Sequence, residues 1–175
     1  EGRALGTEGE KKTLAYIERE FRAAGLEPGI GKSFLQPVPL VEIVPHVEGP
    51  MEVRGTKGSL SLRNADDMVV WTRRPVPESR LKDAELVFAG YGIVAPEYGW
   101  NDYAGIDMRG KIALVLVNDP GFATQDPKLF TGNAMTYYGR WTYKFEEAVR
   151  QGAAGVFVIH ETPAAGYSRD VPREG

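Results

Sequence analysis

The sequence predicts a mixed α/β chain: a helix and a strand at the front, then a small β-sheet with flanking helices. Three observations predict it. Residues 8–24 carry a single apolar helical face. Ile112–Val117 is apolar on both sides, as expected for a strand covered by two layers. A helical segment near residues 137–151 then leads into a second apolar run at residues 155–160. Strand, crossover helix and strand in that order imply a parallel pair with a right-handed connection.

The first helix is defined by its ends. Thr7-Glu8-Gly9-Glu10 has the form of a capping box, in which the Thr7 hydroxyl accepts from the N–H three residues on and Glu10 reaches back to the N–H of Thr7. Leu14, Ile17, Phe21 and Ala24 follow at spacings of three, four and three, which is one helix face. Glu8 and Glu10 suit the positive end of the helix dipole, and Arg19 and Arg22 its negative end. Gly25 is placed to end the helix and Pro28 prevents its resumption.

Ser33–Val44 alternates and is punctuated by Pro37 and Pro39, with Pro45 just beyond. Proline has no N–H for a ladder, so an edge strand or extended connector is expected. Gly49–Gly58 is turn-rich, Met68–Trp71 reads as a short apolar strand, and Pro75 and Pro77 mark Arg73–Ser79 as a linker. Leu86–Ala89 is a short β run closed by Gly90-Tyr91-Gly92. Asn118-Asp119-Pro120-Gly121 ends the strand Ile112–Val117. Tyr138, Trp141, Phe145, Ala148 and Val149 share a face of the helix expected over Tyr137–Gln151, which Gly152 terminates.

The chain has 175 residues, which suits one ordinary domain or a small domain plus an appended segment. The apolar fraction is 42% and the charged fraction 26%, enough apolar material for a packed core. With 21 basic and 24 acidic residues, the net charge of −3 gives no electrostatic reason to expect nucleic acid or an anionic membrane as partner. No run approaches the roughly 18 to 20 apolar residues of a membrane span. The absence of cysteine excludes disulfides and thiolate zinc sites and leaves the compartment open. Glu1 is no initiator Met, no signal-peptide pattern follows it, and Arg173-Glu174-Gly175 brings no structural conclusion. Both ends are therefore expected to be cuts.

Candidate sites are few. His160-Glu161-Thr162-Pro163-Ala164 begins like a zinc-binding HExxH, but the second histidine is missing and Pro163 opposes the aligning helix, so His160 reads as structural. Gly90-Tyr91-Gly92 and Gly152–Gly155 match no phosphate-loop pattern and read as turns. Asp102, Asp107, Asp119 and Asp126 lie in turns, where aspartate commonly caps its own backbone. Residues 136–143 pack four large aromatics and an arginine into eight positions, more than one helix face hides. Tyr137, Arg140 and Tyr143 are the candidates to face a partner, since Tyr, Trp and Arg are enriched at contact surfaces. The bland reading makes Tyr138 and Trp141 core, with Tyr137 and Tyr143 as partly exposed supports. Asp119 and Phe122 follow the carboxyl end of a buried strand, where ligands collect in open α/β sheets.

Three segments carry a family resemblance. Gly2-Arg3-Ala4-Leu5-Gly6-Thr7-Glu8-Gly9-Glu10 and its helix resemble the opening of the catalytic domain of M28 aminopeptidases. The stretch GYGIVAPEYGWNDYAGIDMRGKI between two strands looks like the protease-associated (PA) domain inserted into such enzymes. KFEEAVRQGAAGVFVIH is similar to the PA helix and following strand. The resemblance implies residues 1–45 as the helix and strand of a peptidase domain and 46–175 as a PA-like domain. It implies a parent enzyme that hydrolyses N-terminal peptide bonds with two zinc ions, held by a downstream catalytic domain through a set that begins with His-x-Asp. Here neither histidine opens that motif, because residue 48 is Glu48 and residue 162 is Thr162; Glu146-Glu147 reads as a solvated helix face. No cofactor is therefore expected in this chain, and no catalytic or metal role passes to any of its residues. The expected partners are the catalytic domain of the same protein and peptide substrates, and the expected location is extracytoplasmic. A stand-alone PA-type binding module and an inhibitory pro-segment are the alternatives. An uncovered stripe of Leu14, Ile17 and Phe21 would promote homo-oligomers.

Overall fold

A computed structural model describes residues 2–168 and 170–171, so Glu1 and Arg173–Gly175, read above as cut ends, lie outside the described residues. The chain divides into two compact units, Glu1–Ile43 and Val44–Gly175. The fold is mixed α/β, with small sheets and a few helices.

In the first unit, α1 spans Glu8–Ala23. Thr7 caps it as expected, its hydroxyl accepting from the N–H of Glu10. The return half of the box lands one residue early: the Glu10 carboxylate accepts from the N–H of Gly6 at 2.6 Å. The reason is that the Thr7 N–H is already donated to the carbonyl of Ala4. At the other end Leu26 donates to the carbonyl of Phe21 and Gly25 to that of Arg22, the paired bonds of a Schellman stop. No residue of α1 is buried. Ser33–Val44 joins no ladder, so the edge-strand option gives way to the connector.

The second unit opens with a hairpin where only turns were expected. β1 (Met51–Gly55) and β2 (Gly58–Leu62) pair antiparallel across the two-residue loop Thr56-Lys57. The register sets Met51 against Leu62 and Val53 against Leu60, gathering the apolar side chains on one face. Met68–Trp71 forms no strand beyond a single bridge between Asn64 and Met68. Short polar side chains hold that segment as a loop instead: Asp67 accepts from the N–H of Arg63 and Asn64 from that of Val70.

The central sheet has three parallel strands in the order β3–β6–β7: β3 (Leu86–Phe88), β6 (Ile112–Leu116) and β7 (Gly155–Ile159). A two-stranded antiparallel pair, β4 (Val94–Ala95) with β5 (Trp100–Asn101), is inserted between β3 and β6. Two short helices, α2 (Pro120–Thr124) and α4 (Thr162–Ala165), follow β6 and β7. The proline expected to oppose a helix at 163 sits instead in the first turn of α4, where its missing N–H costs nothing.

The crossover helix expected over Tyr137–Gln151 begins as a 3₁₀ turn at Tyr137–Gly139 and becomes α3 at Trp141–Arg150. Its buried face also differs from the expected one. Tyr143, Lys144, Glu147 and Ala148 are buried, whereas Val149 is 72% exposed. The inward turn of Glu147 corrects the solvated-face reading. Its carboxylate pairs with Arg150 at 2.7 Å and accepts from the side-chain amide of Gln151, so burial leaves it partnered. Ala148 joins Ala113 and Val115 of β6 in the main core, with Ala89, Tyr103 and Met108 around them.

Candidate functional site

The parallel strands bring three loops to one end of the sheet: Gly90-Tyr91-Gly92 after β3, Asn118–Phe122 after β6, and His160–Tyr167 after β7. Such carboxyl-end loops are where open α/β sheets place ligands. Here the loops are joined by buried polar side chains.

Asp102 closes the first loop. One carboxylate oxygen accepts from the N–H groups of Tyr91 and Ile93, at 3.1 and 3.0 Å. Gly90 and Gly92 make the turn at φ +52° and +63°. A β-carbon on Gly90 would lie 2.6 Å from Asp102 Oδ1, and one on Gly92 2.7 Å from a Val115 methyl. Both positions thus need glycine for backbone conformation and for space.

Asn118 and Asp119 form the second loop. Asn118 has φ +68°, a conformation a side chain of its kind tolerates. Its amide donates to the carbonyl of Ala164 at 2.6 Å and its side-chain oxygen accepts from the N–H of Asp119. Asp119 is fully buried and caps α2 by accepting from the N–H of Gly121. Its other oxygen accepts from Thr136. Lys144, from α3, reaches the same place: its Nζ donates to the carbonyls of Tyr91 at 2.6 Å and Asn118 at 2.8 Å. Burial pushes its pKa down to about 7 against the opposing pull of Asp102 and Asp119.

The residues singled out from sequence fall in four settings. Tyr137 and Arg140 are exposed; the Tyr137 hydroxyl reaches Glu146, and Arg140 stands at the N-cap of α3 without a side-chain capping bond. Tyr143 is buried in an aromatic cluster with Ile93, Ala95 and Phe130, and its hydroxyl both accepts from and donates to the backbone of Val94. Phe122 packs beside Val117, Ala164 and Ala165. Asp119, as described, has its oxygens engaged inside the fold.

The other aspartates stay apart. Asp107 pairs with Arg109 and Asp126 accepts from the N–H of Lys128. Among the described residues no group of three or more His, Cys, Asp or Glu side chains is placed to hold a metal ion. The Nε2 of His160 lies 3.1 Å from the carbonyl of Tyr167, with the ring packed between Trp141 and Tyr167. No helix among the described residues is long and apolar enough to cross a membrane.

The reading from sequence missed Lys144 and Asn118. A signal for Lys144 was present: it lies four residues before Ala148, on the core face. A lysine on a core face needs acceptors brought from elsewhere, and nothing local announces them. The chain matches no protein-family model, no curated protein and no solved structure.

Proposed function

We propose that this chain is the non-catalytic, PA-like portion of a zinc-dependent M28-like aminopeptidase, and that it shapes substrate access or assembly around a catalytic domain of the same protein. The parent reaction is hydrolysis of N-terminal peptide bonds, with both zinc ions held downstream by that catalytic domain, outside the cytoplasm. The observation that carries this reading is the stretch from Gly90 to Ile112, whose order of residues resembles that of a PA domain. The mutual support of that stretch, with Asp102 bonded to the N–H groups of Tyr91 and Ile93, makes it one structural unit and favours reading it whole.

The test reads the source gene beyond Gly175 and assays the purified chain. An in-frame His-x-Asp followed by a Glu-Glu pair, together with no zinc-dependent release of amino acids by the chain alone, is the expected result. Zinc-dependent release by this chain would overturn the non-catalytic assignment. A second reading, a stand-alone PA-type module that binds peptide or protein, is favoured by the exposed Tyr137 and Arg140. A stop codon a few positions after Gly175 would select it.

A further inference from the structure

Lys144 is a fully buried lysine with no carboxylate bonded to it among the described residues. Its two acceptors, the carbonyls of Tyr91 and Asn118, are neutral. The charged groups around it are committed elsewhere. Asp102 spends an oxygen on the N–H groups of Tyr91 and Ile93, and Asp119 serves Gly121 and Thr136. On the same helix Glu147 pairs with Arg150, and the Tyr143 hydroxyl serves Val94. The Tyr91 ring lies 5.9 Å from Nζ, at the outer limit of a useful cation–π contact. After β7, His160 is engaged with the carbonyl of Tyr167, and Glu161 is near enough to raise the pKa of Tyr91.

A lysine ammonium carries three donors, whereas a neutral amine carries two donors and a lone pair. Two carbonyl acceptors match the neutral amine. Protonation adds a third N–H that finds no acceptor among the described residues, and it adds a charge in a buried place.

We propose that Lys144 is a proton-operated pin: as a neutral amine it fastens the Tyr91 loop to the Asn118 loop, and on protonation it loosens that joint at the carboxyl end of the sheet. This inference goes beyond the functional reading above and stands without it. The pKa near 7 that burial imposes sets the lower end of the pH window, and the ordinary lysine value of about 10.4 sets its upper end. The sign follows from linkage. The closed joint holds Lys144 at a lower pKa than the opened one, where it returns toward the ordinary value of about 10.4. The opened form therefore binds more protons, and closure strengthens as pH rises through that window. Between pH 8 and pH 6 the opening equilibrium should grow about tenfold.

The experiment uses the whole chain with lysines labelled for NMR. The Lys144 amine should titrate with a midpoint near 7, well below the ordinary lysine value of about 10.4. Hydrogen exchange at the amides of Tyr91 and Asn118, corrected for intrinsic rates, should lose protection about tenfold from pH 8 to pH 6. Lys144→Met should abolish that dependence while leaving every other ionisable side chain in place, so their contributions cancel in the comparison. A Lys144 midpoint above about 9, or the same loss of protection in Lys144→Met, would overturn the proposal. If Lys144→Met does not fold, the midpoint in the native chain decides alone.

Discussion

Asp119 accepts both donors of Thr136, the N–H at 2.9 Å and the hydroxyl at 2.6 Å. The pair lies 17 positions apart and closes the whole excursion between β6 and the crossover helix. Because Asp119 is fully buried and also caps α2, Asp119→Ala strands three donors at once. It should lower stability by about 3 kcal/mol, at the upper end for a lost buried hydrogen-bond acceptor. Thr136→Val removes only the hydroxyl and should cost about 1 kcal/mol. Urea denaturation of both single variants and the double variant gives the coupling. Additive losses would mean the two residues do not act as the unit described.

The Gly92 position gives a steric prediction. Gly92→Ala sets a β-carbon against a Val115 methyl in the core and holds alanine at φ +63°. Crowding and backbone strain together should cost about 3 kcal/mol. Adding Val115→Ala removes the nearest contact but leaves the Tyr103 hydroxyl at 3.0 Å and the backbone strain, so the double variant should stay less stable than Val115→Ala. Equal thermal midpoints for those two proteins would show that the left-handed turn is not required.

How far the sequence revealed this fold depended on where the information lay. α1 and the parallel pair β6–β7 were legible because their signals are local: capping residues, one periodic face and short uninterrupted apolar runs. The hairpin β1–β2 was hidden because its glycines read as turn signals, although the alternation of Met51 and Val53 with Leu60 and Leu62 was present. Met68–Trp71 looked like a strand, yet Asn64 and Asp67 captured the neighbouring backbone, and propensity lost to side-chain bonding. The joint around Lys144 was least legible. Lys144 and its two partners come from three separate elements, and Tyr91 and Asn118 contribute carbonyls, which every residue has. Tyr143 was visible as an unusual aromatic, but only the arrival of Val94 across 49 positions fixes its place.

Asp107 offers a check at acid pH. The Arg109 guanidinium bonds its carboxylate at 2.9 Å and, with the Arg109 N–H, pulls its pKa down to about 2. A depressed carboxylate contributes stability above its unfolded value of about 3.9 and loses that contribution as pH falls through its folded value. The Asp107 carboxyl carbon should therefore titrate near 2 by NMR, and Arg109→Gln should return it toward the ordinary range. The pair is exposed and salt screens it, so raising the ionic strength should shift the midpoint upward. An unchanged midpoint in Arg109→Gln would show that the pair does not persist in solution.

The front helix should make the chain self-associate. α1 buries none of its residues, and Tyr16, Ile17 and Phe21 are all more than a third exposed. A helix of 16 residues is marginal in water without a packed face, even with Thr7 and the Gly25 stop fixing its ends. Phe21 meets Phe34 at 5.8 Å within its own unit, which covers little of the stripe. Covering the rest with a second copy is the simplest relief for an apolar patch in a dilute solution of one protein. Sedimentation should show association that grows with concentration, and amides of residues 14–21 should gain exchange protection in parallel. Ile17→Glu places a charge in the middle of the stripe and should restore the monomer with a frayed helix. Monomeric native chain with a well-protected α1 would sink this expectation, because the helix would then be stable without a cover.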